Sequence, residues 1–207
     1  MSTVAICTAW KDHLDLAPGY FEAVEIAAPD QLVIVDDGSV PALEFASIRL
    51  DEPQGFCGAN NVGLAAVETD IVVMLNNDVQ LLRADWLTEI VGLVEPGVIV
   101  APLRFDAHGS IDGVPYPYAD GWCLAAMTQD LIDVGGWDEE YDEAGPAYFS
   151  DNALSFRARM HGMRLRESKP GLRHLGGQTG GVDQELFQKA LAVNQHLFGR
   201  QVREALK

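Results

Sequence analysis

The chain is poor in cysteine, in positive charge and in long apolar runs, and each shortage excludes something. Its 3 cysteines, Cys7, Cys57 and Cys123, stand singly, with no C-x-x-C pair. That spacing offers neither a disulfide framework nor a cysteine zinc site, and it implies reduced thiols and a cytoplasmic protein. Only 14 Lys and Arg face 31 Asp and Glu, a formal charge of -17. Such a field repels nucleic-acid phosphates and anionic membrane surfaces, so intact nucleic acid is not an expected partner. A small anionic ligand survives this exclusion, because a bound divalent cation and a few backbone N–H groups reverse the field locally. No apolar run approaches the roughly 20 residues that a spanning helix needs, and no stretch resembles a signal peptide. Internal repeats and linkers are also missing.

What is present fits one compact α/β domain: 207 residues, 48% hydrophobic and 22% charged, enough to bury a sizeable core. β-branched runs alternate with helical patterns. Strands are expected at Val4–Thr8, Gln31–Val35, Ile71–Leu75 and Val98–Ala101, with a weaker one at Ile48–Leu50; helices are expected at Gly19–Ile26, Gly58–Val67 and Asp85–Val94. This order implies a mainly parallel, Rossmann-like sheet with helices on both faces and a ligand beyond the carboxyl ends of the strands. Residues Phe105 to Asp120, rich in Gly and Pro, read as a loop or hairpin excursion. A strand at Trp122–Met127 follows, then helices at Asp130–Val134, Asp151–His161 and Val182–Leu206, the last with a break at Gly199. Leu186, Ala190, Val193 and Leu197 lie at helical spacing, which reads as core packing or a homodimer contact.

Four places could carry chemistry. The strand through Val35 ends in Asp36-Asp37-Gly38-Ser39, where two carboxylates either face a ribose or base edge or simply cap the turn. The strand through Leu75 ends in Asn76-Asn77-Asp78, an oxygen-rich set that suits Mg²⁺ or Mn²⁺, although Asn and Asp also favour such turns for backbone reasons. Asp151 opens a helix after Tyr148-Phe149-Ser150, as an N-cap or as a general base whose pKa is raised by apolar neighbours. His174 precedes a Gly-rich stretch able to close over a phosphate. Beside these four, Trp122 is a candidate acceptor platform, a buried indole being the alternative. The run Asp138-Glu139-Glu140-Tyr141-Asp142-Glu143 reads as a solvated loop.

These pieces together resemble glycosyltransferase family 2, the inverting GT-A enzymes. The matching segments are the strand ending at Thr8, Val35-Asp36-Asp37-Gly38-Ser39, Gly55-Phe56-Cys57-Gly58-Ala59-Asn60-Asn61-Val62-Gly63 and Leu75-Asn76-Asn77-Asp78-Val79 with Trp86-Leu87. Gly135-Gly136-Trp137-Asp138, Tyr148-Phe149-Ser150-Asp151 with Arg157 and Gly162, and His174 to Thr179 complete the order. The G-F-x-x-A-x-N-x-G segment is most similar to the rhamnosyltransferase-like branch. The resemblance implies a single GT-A domain over 1–207, with a nucleotide-binding half at 1–102, an acceptor and catalytic half at 103–182 and a closing helix at 183–207. It implies a nucleotide-sugar donor contacted by Thr8, Asp36, Asp37, Asn61, Asn77 and Asp78. It further implies a Mn²⁺ or Mg²⁺ ion at Asp78 and His174, Asp151 as the catalytic base, and a hydroxyl-bearing glycan or glycoconjugate as acceptor.

Two positions depart from the family pattern: Asn76 replaces the first carboxylate of D-x-D, and Ser150 replaces the acidic residue before the base. The family's extended carboxyl-terminal part is nearly absent, so the acceptor surface is expected to be minimal or supplied by a partner subunit. The competing expectations are a degenerate domain that binds nucleotide sugar without turnover, a receiver-type domain and a HAD-like phosphatase. A receiver would place a lysine where Pro102-Leu103-Arg104 stands, and the phosphatase would need an acidic residue between Val4 and Trp10.

Overall fold

The computed structural model describes residues 2–105, 110–111, 114–115, 117–176 and 184–207. In chain order the first half gives β1 (Val4–Trp10), α1 (Ala17–Ala27), β2 (Gln31–Asp37), β3 (Ile48–Leu50), α2 (Gly55–Ala65), β4 (Ile71–Leu75), β5 (Val79–Leu81), α3 (Trp86–Val91) and β6 (Val98–Ala101). The second half gives the short strands β7 (Leu103–Arg104), β8 (Ser110–Ile111), β9 (Val114–Pro115) and β10 (Tyr118–Ala119). It continues with β11 (Cys123–Met127), α4 (Thr128–Asp133), α5 (Ser150–Met160), β12 (Arg164–Glu167), β13 (Leu172–His174) and α6 (Gln184–Ala205).

The main sheet has 7 strands in the order β12-β6-β11-β4-β1-β2-β3. β1 pairs in parallel with β2 and β4, β2 with β3, and β12 with β6. β11 alone runs antiparallel, inserted between β4 and β6. The fold is therefore the expected α/β arrangement, a mainly parallel sheet covered on both faces. Alternation along the strands builds those faces. Val72 and Met74 of β4 join one core with residues of α2, α4, α5 and α6, while Val73 and Leu75 join the other with residues of α1 and α3.

The strand polarity positions the site. β1, β2, β4 and β6 all end at one edge, and the reversed β11 brings its beginning, Gly121-Trp122, to that same edge; Cys123 pairs with Leu75. Two hairpin-like pairs, β5 with β13 and β7 with β10, are antiparallel additions there. Both pairs escape the sequence reading, since strands of two or three residues carry too little pattern to be seen.

Three expectations need correction. α6 passes through Gly199 without a break. Of the four residues expected to pack, Ala190 is buried and Leu197 packs on the core, whereas Leu186 and Val193 remain 42% and 47% exposed; the buried stripe is Ala190, Asn194, Phe198 and Val202. The stripe is hard to see in sequence because a polar residue lies on it: Asn194 donates to the carbonyls of Tyr141 and Pro146, at 2.9 and 3.3 Å. The acidic run is not a solvated loop either. Glu139–Asp142 forms a 3-10 turn with Tyr141 fully buried, and Gln201 of α6 donates to Asp138 at 2.7 Å. Among the described residues no helix is long and apolar enough to cross a membrane.

Candidate active site

A cleft of about 710 Å³ opens at the edge where these strands end. Asp37, Asn76, Asn77, Asp78, Asp120, Asp142, Asp151 and His174 all line it. Residues far apart in sequence thus share one cavity, brought together by the ends of β2 and β4, the start of β11, the end of β13 and the first turn of α5.

Asp78 and His174 meet directly. Asp78 is 1% exposed, and its Oδ1 lies 3.0 Å from His174 Nε2. No hydrogen bond satisfies that oxygen, nor the buried Nδ2 of Asn77. The His174 ring is held flat against Trp122, with centroids 5.0 Å apart and planes inclined by 7°. β13 reaches this place because it pairs with β5, His174 opposite Val79, and because Leu175 N–H donates to the Asp78 carbonyl at 2.8 Å. Asn76 Nδ2 approaches the same His174 Nε2 at 3.5 Å, and an oxygen and an imidazole nitrogen paired in this way are ligand types that a divalent cation with mixed ligands accepts. No cluster of three or more His, Cys, Asp or Glu side chains able to hold a metal occurs among the described residues; the amides of Asn76 and Asn77 stand beside Asp78 and His174 on the cleft lining. Trp122, expected as an acceptor platform, instead buttresses His174 and is absent from the cleft lining.

Asp151 is the second centre. It is not the N-cap of α5: that position is Phe149, at φ 70°, and Asp151 lies in the first turn. Its Oδ2 accepts the Gly121 N–H at 3.0 Å, while its Oδ1 is buried without a hydrogen bond. Burial pushes the carboxyl from its ordinary 3.8 up to about 7, and the nearby Asp120 carboxylate adds to the rise. The Gly121 N–H, the Trp137 indole and Arg104 pull the other way. Arg104 Nε in turn donates to Asp120 at 2.6 Å. Gly121 is required by proximity, since a Cβ there would sit 2.3 Å from Asp151 Oδ1. A carboxylate with a raised pKa, one free oxygen and an opening onto a cleft is equipped to take a proton near neutral pH.

The other expected donor contacts fare unequally. Asp37 lines the cleft, but both its oxygens accept N–H groups ahead of and at the start of α2, from Gln54 at 2.6 Å and Gly55 at 3.1 Å. Asp142, unforeseen from sequence, accepts the next donors of that helix, Cys57 at 2.9 Å and Gly58 at 3.1 Å. Burial raises its carboxyl to about 6 against the pull of those N–H groups. Asp36 is fully buried and bound to the N–H groups of Ser39 and Leu43 and to Arg49. Burial alone would raise its pKa, but these hydrogen bonds outweigh it and hold the carboxyl below its ordinary range. Thr8 is likewise fully buried, its hydroxyl 2.7 Å from that of Tyr20. Neither Thr8 nor Asp36 lines the cleft; Ala9, Trp10 and Lys11 reach it from β1 and just beyond. Asn61 lies outside it too, holding α2 to the following chain through Trp137 N–H at 2.8 Å and the Trp137 carbonyl at 2.9 Å. The stretch after Gly176 expected to act as a lid falls at 177–183, outside the described residues.

Comparison with known proteins agrees with this layout. The sequence model described as Glycosyl transferase family 2 matches residues 23–120. The Pre-mycofactocin glycosyltransferase of Mycobacterium tuberculosis is 29% identical over 171 residues, covering 66% of this chain and 35% of that protein. The uncharacterized protein y4gI of Sinorhizobium fredii is 30% identical over 112 residues, covering 46% of this chain and 12% of that protein. The chain thus spans only about a third or less of the curated relatives it matches. Among solved structures, the mannosyltransferase PcManGT from Pyrobaculum calidifontis, in complex with GDP-Man and Mn²⁺, shares the fold with a TM-score of 0.62 at 16% identity, over 81% of this chain and 55% of that one. Glucosyl-3-phosphoglycerate synthase from Mycobacterium tuberculosis, with Mn²⁺, UDP and glucosyl-3-phosphoglycerate, also gives a TM-score of 0.62, at 14% identity over 93% and 77%. With the sheet order, the cleft at its carboxyl edge and these matches in hand, the chain has the GT-A fold, and its residues 23–120 match glycosyltransferase family 2.

Proposed function

We propose that this chain is the catalytic unit of a metal-dependent, inverting glycosyltransferase that moves a sugar from a nucleoside-diphosphate sugar to an acceptor hydroxyl. The observation that carries the reading is the convergence of Asp78, His174 and Asp151 on one cleft at the carboxyl edge of the sheet. The nucleoside seats against Asp37 and the end of β1. Its diphosphate extends towards Asp78 and the unsatisfied Asn77 amide.

A divalent cation held by Asp78 and His174 would supply Lewis-acid compensation for the charge growing on the departing diphosphate. Asp151 does the work at the other end. Its unpaired Oδ1 accepts the proton of the acceptor hydroxyl as that oxygen attacks the anomeric carbon from the face opposite the leaving group, so configuration inverts. Gly121 and Asp120 keep the carboxylate in place and its proton affinity near the working range. A carboxylate poised in this way favours turnover over nucleotide-sugar binding alone.

Calorimetry with UDP-, GDP- and dTDP-sugars, with and without Mn²⁺, tests the reading. One nucleotide sugar is expected to bind only with the cation, and Asp78→Ala to abolish that binding. Unchanged binding in Asp78→Ala defeats the metal assignment, and full transfer by Asp151→Asn defeats the base assignment.

A further inference from the structure

The cleft is lined by two chemically unlike sets of side chains, and only one is used by the donor and the base. One set is the carboxylates of Asp37, Asp78, Asp120, Asp142 and Asp151. The other is apolar: Pro146, Ala147 and Tyr148, which run along the chain towards Asp151, with Phe187 and Leu191 of α6. Phe187 and Leu191 are one helical turn apart and so present a common face. Tyr148 and Phe187 meet edge to face, with centroids 4.9 Å apart and planes inclined by 70°. Tyr148 and Leu191 also pack on the core behind them, which fixes the wall in place rather than leaving it to fold inward.

Charge narrows what can lie against this wall. Among the described residues lining the cleft, Lys11 and Arg104 are the only Lys or Arg side chains, and Arg104 is already paired with Asp120. Lys11 stands just beyond β1, where the nucleoside is proposed to seat, and a cation at Asp78 would meet the donor diphosphate; an anionic acceptor beside Asp120 and Asp151 would lie among carboxylates, with Arg104 already engaged. An apolar ring adjoining the reacting hydroxyl, in contrast, gains burial against Tyr148, Phe187 and Leu191.

We propose that the acceptor is an uncharged molecule with an aromatic or similarly flat apolar portion next to its reacting hydroxyl, seated against the wall that Tyr148 forms with Phe187 and Leu191 of α6. This rests on the glycosyltransferase reading above and assigns the acceptor class of that same site. The wall acts as the specificity element, and Asp151 receives the proton.

The test is binding of three probes to the intact chain saturated with the nucleotide found by calorimetry and Mn²⁺: p-nitrophenyl β-glucoside, methyl β-glucoside and p-nitrophenyl β-glucuronide. The aryl glucoside is expected to bind roughly tenfold more tightly than the methyl glucoside, the scale of burying one ring. It should also outrank the glucuronide, which differs by a carboxylate. Phe187→Ala should erase the aryl preference while nucleotide binding, which reads out folding, is retained; Phe187→Leu should keep part of it. Equal binding of the aryl and methyl glucosides, equal binding of the glucuronide, or an aryl preference unchanged in a folded Phe187→Ala protein overturns the inference alone. Failure of the wild-type chain to bind any nucleotide sugar overturns the glycosyltransferase reading, and the inference falls with it.

Discussion

Replacing Asp151 by Asn should make the protein less active and, above neutral pH, more stable. The carboxyl titrates at about 7 in the folded chain against an ordinary 3.8. Between those values the folded state holds a proton that the unfolded state has released, so stability falls as pH rises from about 4 and levels off above about 7. At 1.36 kcal/mol per pH unit, the rise corresponds to at most about 4 kcal/mol, of which about 2 kcal/mol falls between pH 5.5 and pH 8.5. The amide of the variant does not titrate, which removes that slope. Urea unfolding of both proteins at pH 5.5 and pH 8.5 isolates the effect, because any fixed packing cost of the amide enters equally at both. The stability of Asp151→Asn relative to wild type should rise by about 2 kcal/mol from the lower to the higher pH. Turnover should fall by about 10²–10⁴, the usual scale for a positioned base. A stability difference that is the same at both pH values would refute the claim that burial has raised this carboxyl.

Three further outcomes follow from the same geometry. Asp120→Asn removes the like charge that holds Asp151 up and frees Arg104 to favour the charged form, so the acidic limb of the kcat/KM profile should move down by roughly one pH unit; a limb that stays in place counts against the coupling. Gly121→Ala puts a methyl group 2.3 Å from Asp151 Oδ1 and should cost about 10²-fold in kcat through displacement of the base, with nucleotide binding measured by calorimetry unaffected. Gly55→Ala forces a side chain into a residue at φ 84° and against Asp142; urea unfolding should record a loss of about 2 kcal/mol or more, and a neutral result would mean that the start of α2 is looser than described.

The parts of this molecule that can be read from its sequence are those written as repeated pattern. β4 and β6 have the expected bounds because five and four consecutive apolar residues, buried on both faces, are unmistakable between polar turns. Asp78 and Asp151 stand out because each follows or opens an element whose place in the chain is already clear, whereas His174 ends β13, which the sequence does not reveal, and is marked instead by the glycines after it. Asp36 and Thr8 mislead for the opposite reason: a polar residue at a strand end looks the same whether it faces a ligand or, as with the Tyr20 hydroxyl and Arg49, an internal partner. Asp142 is hidden in an acidic run, and its use by the N–H groups of Cys57 and Gly58 depends on contacts spanning 85 and 84 residues. Phe187 and Leu191 look like ordinary helix residues, and only the packing of α6 against the chain around Tyr148 turns them towards the cleft.

The reversed strand β11 has an evolutionary consequence. It is held by partners on both sides, and the residues just before it hold the Asp151 carboxylate through Gly121 and the His174 imidazole through Trp122. A one-residue insertion or deletion there would turn each of these contacts to the wrong face, so this stretch should tolerate substitution far better than a change in length. The apolar wall hangs on the surface of α6, where residues can be exchanged without disturbing a strand register. On the proposed reading, a lineage, or an engineer, is therefore free to trade one acceptor for another while the group proposed to take the proton stays as it is.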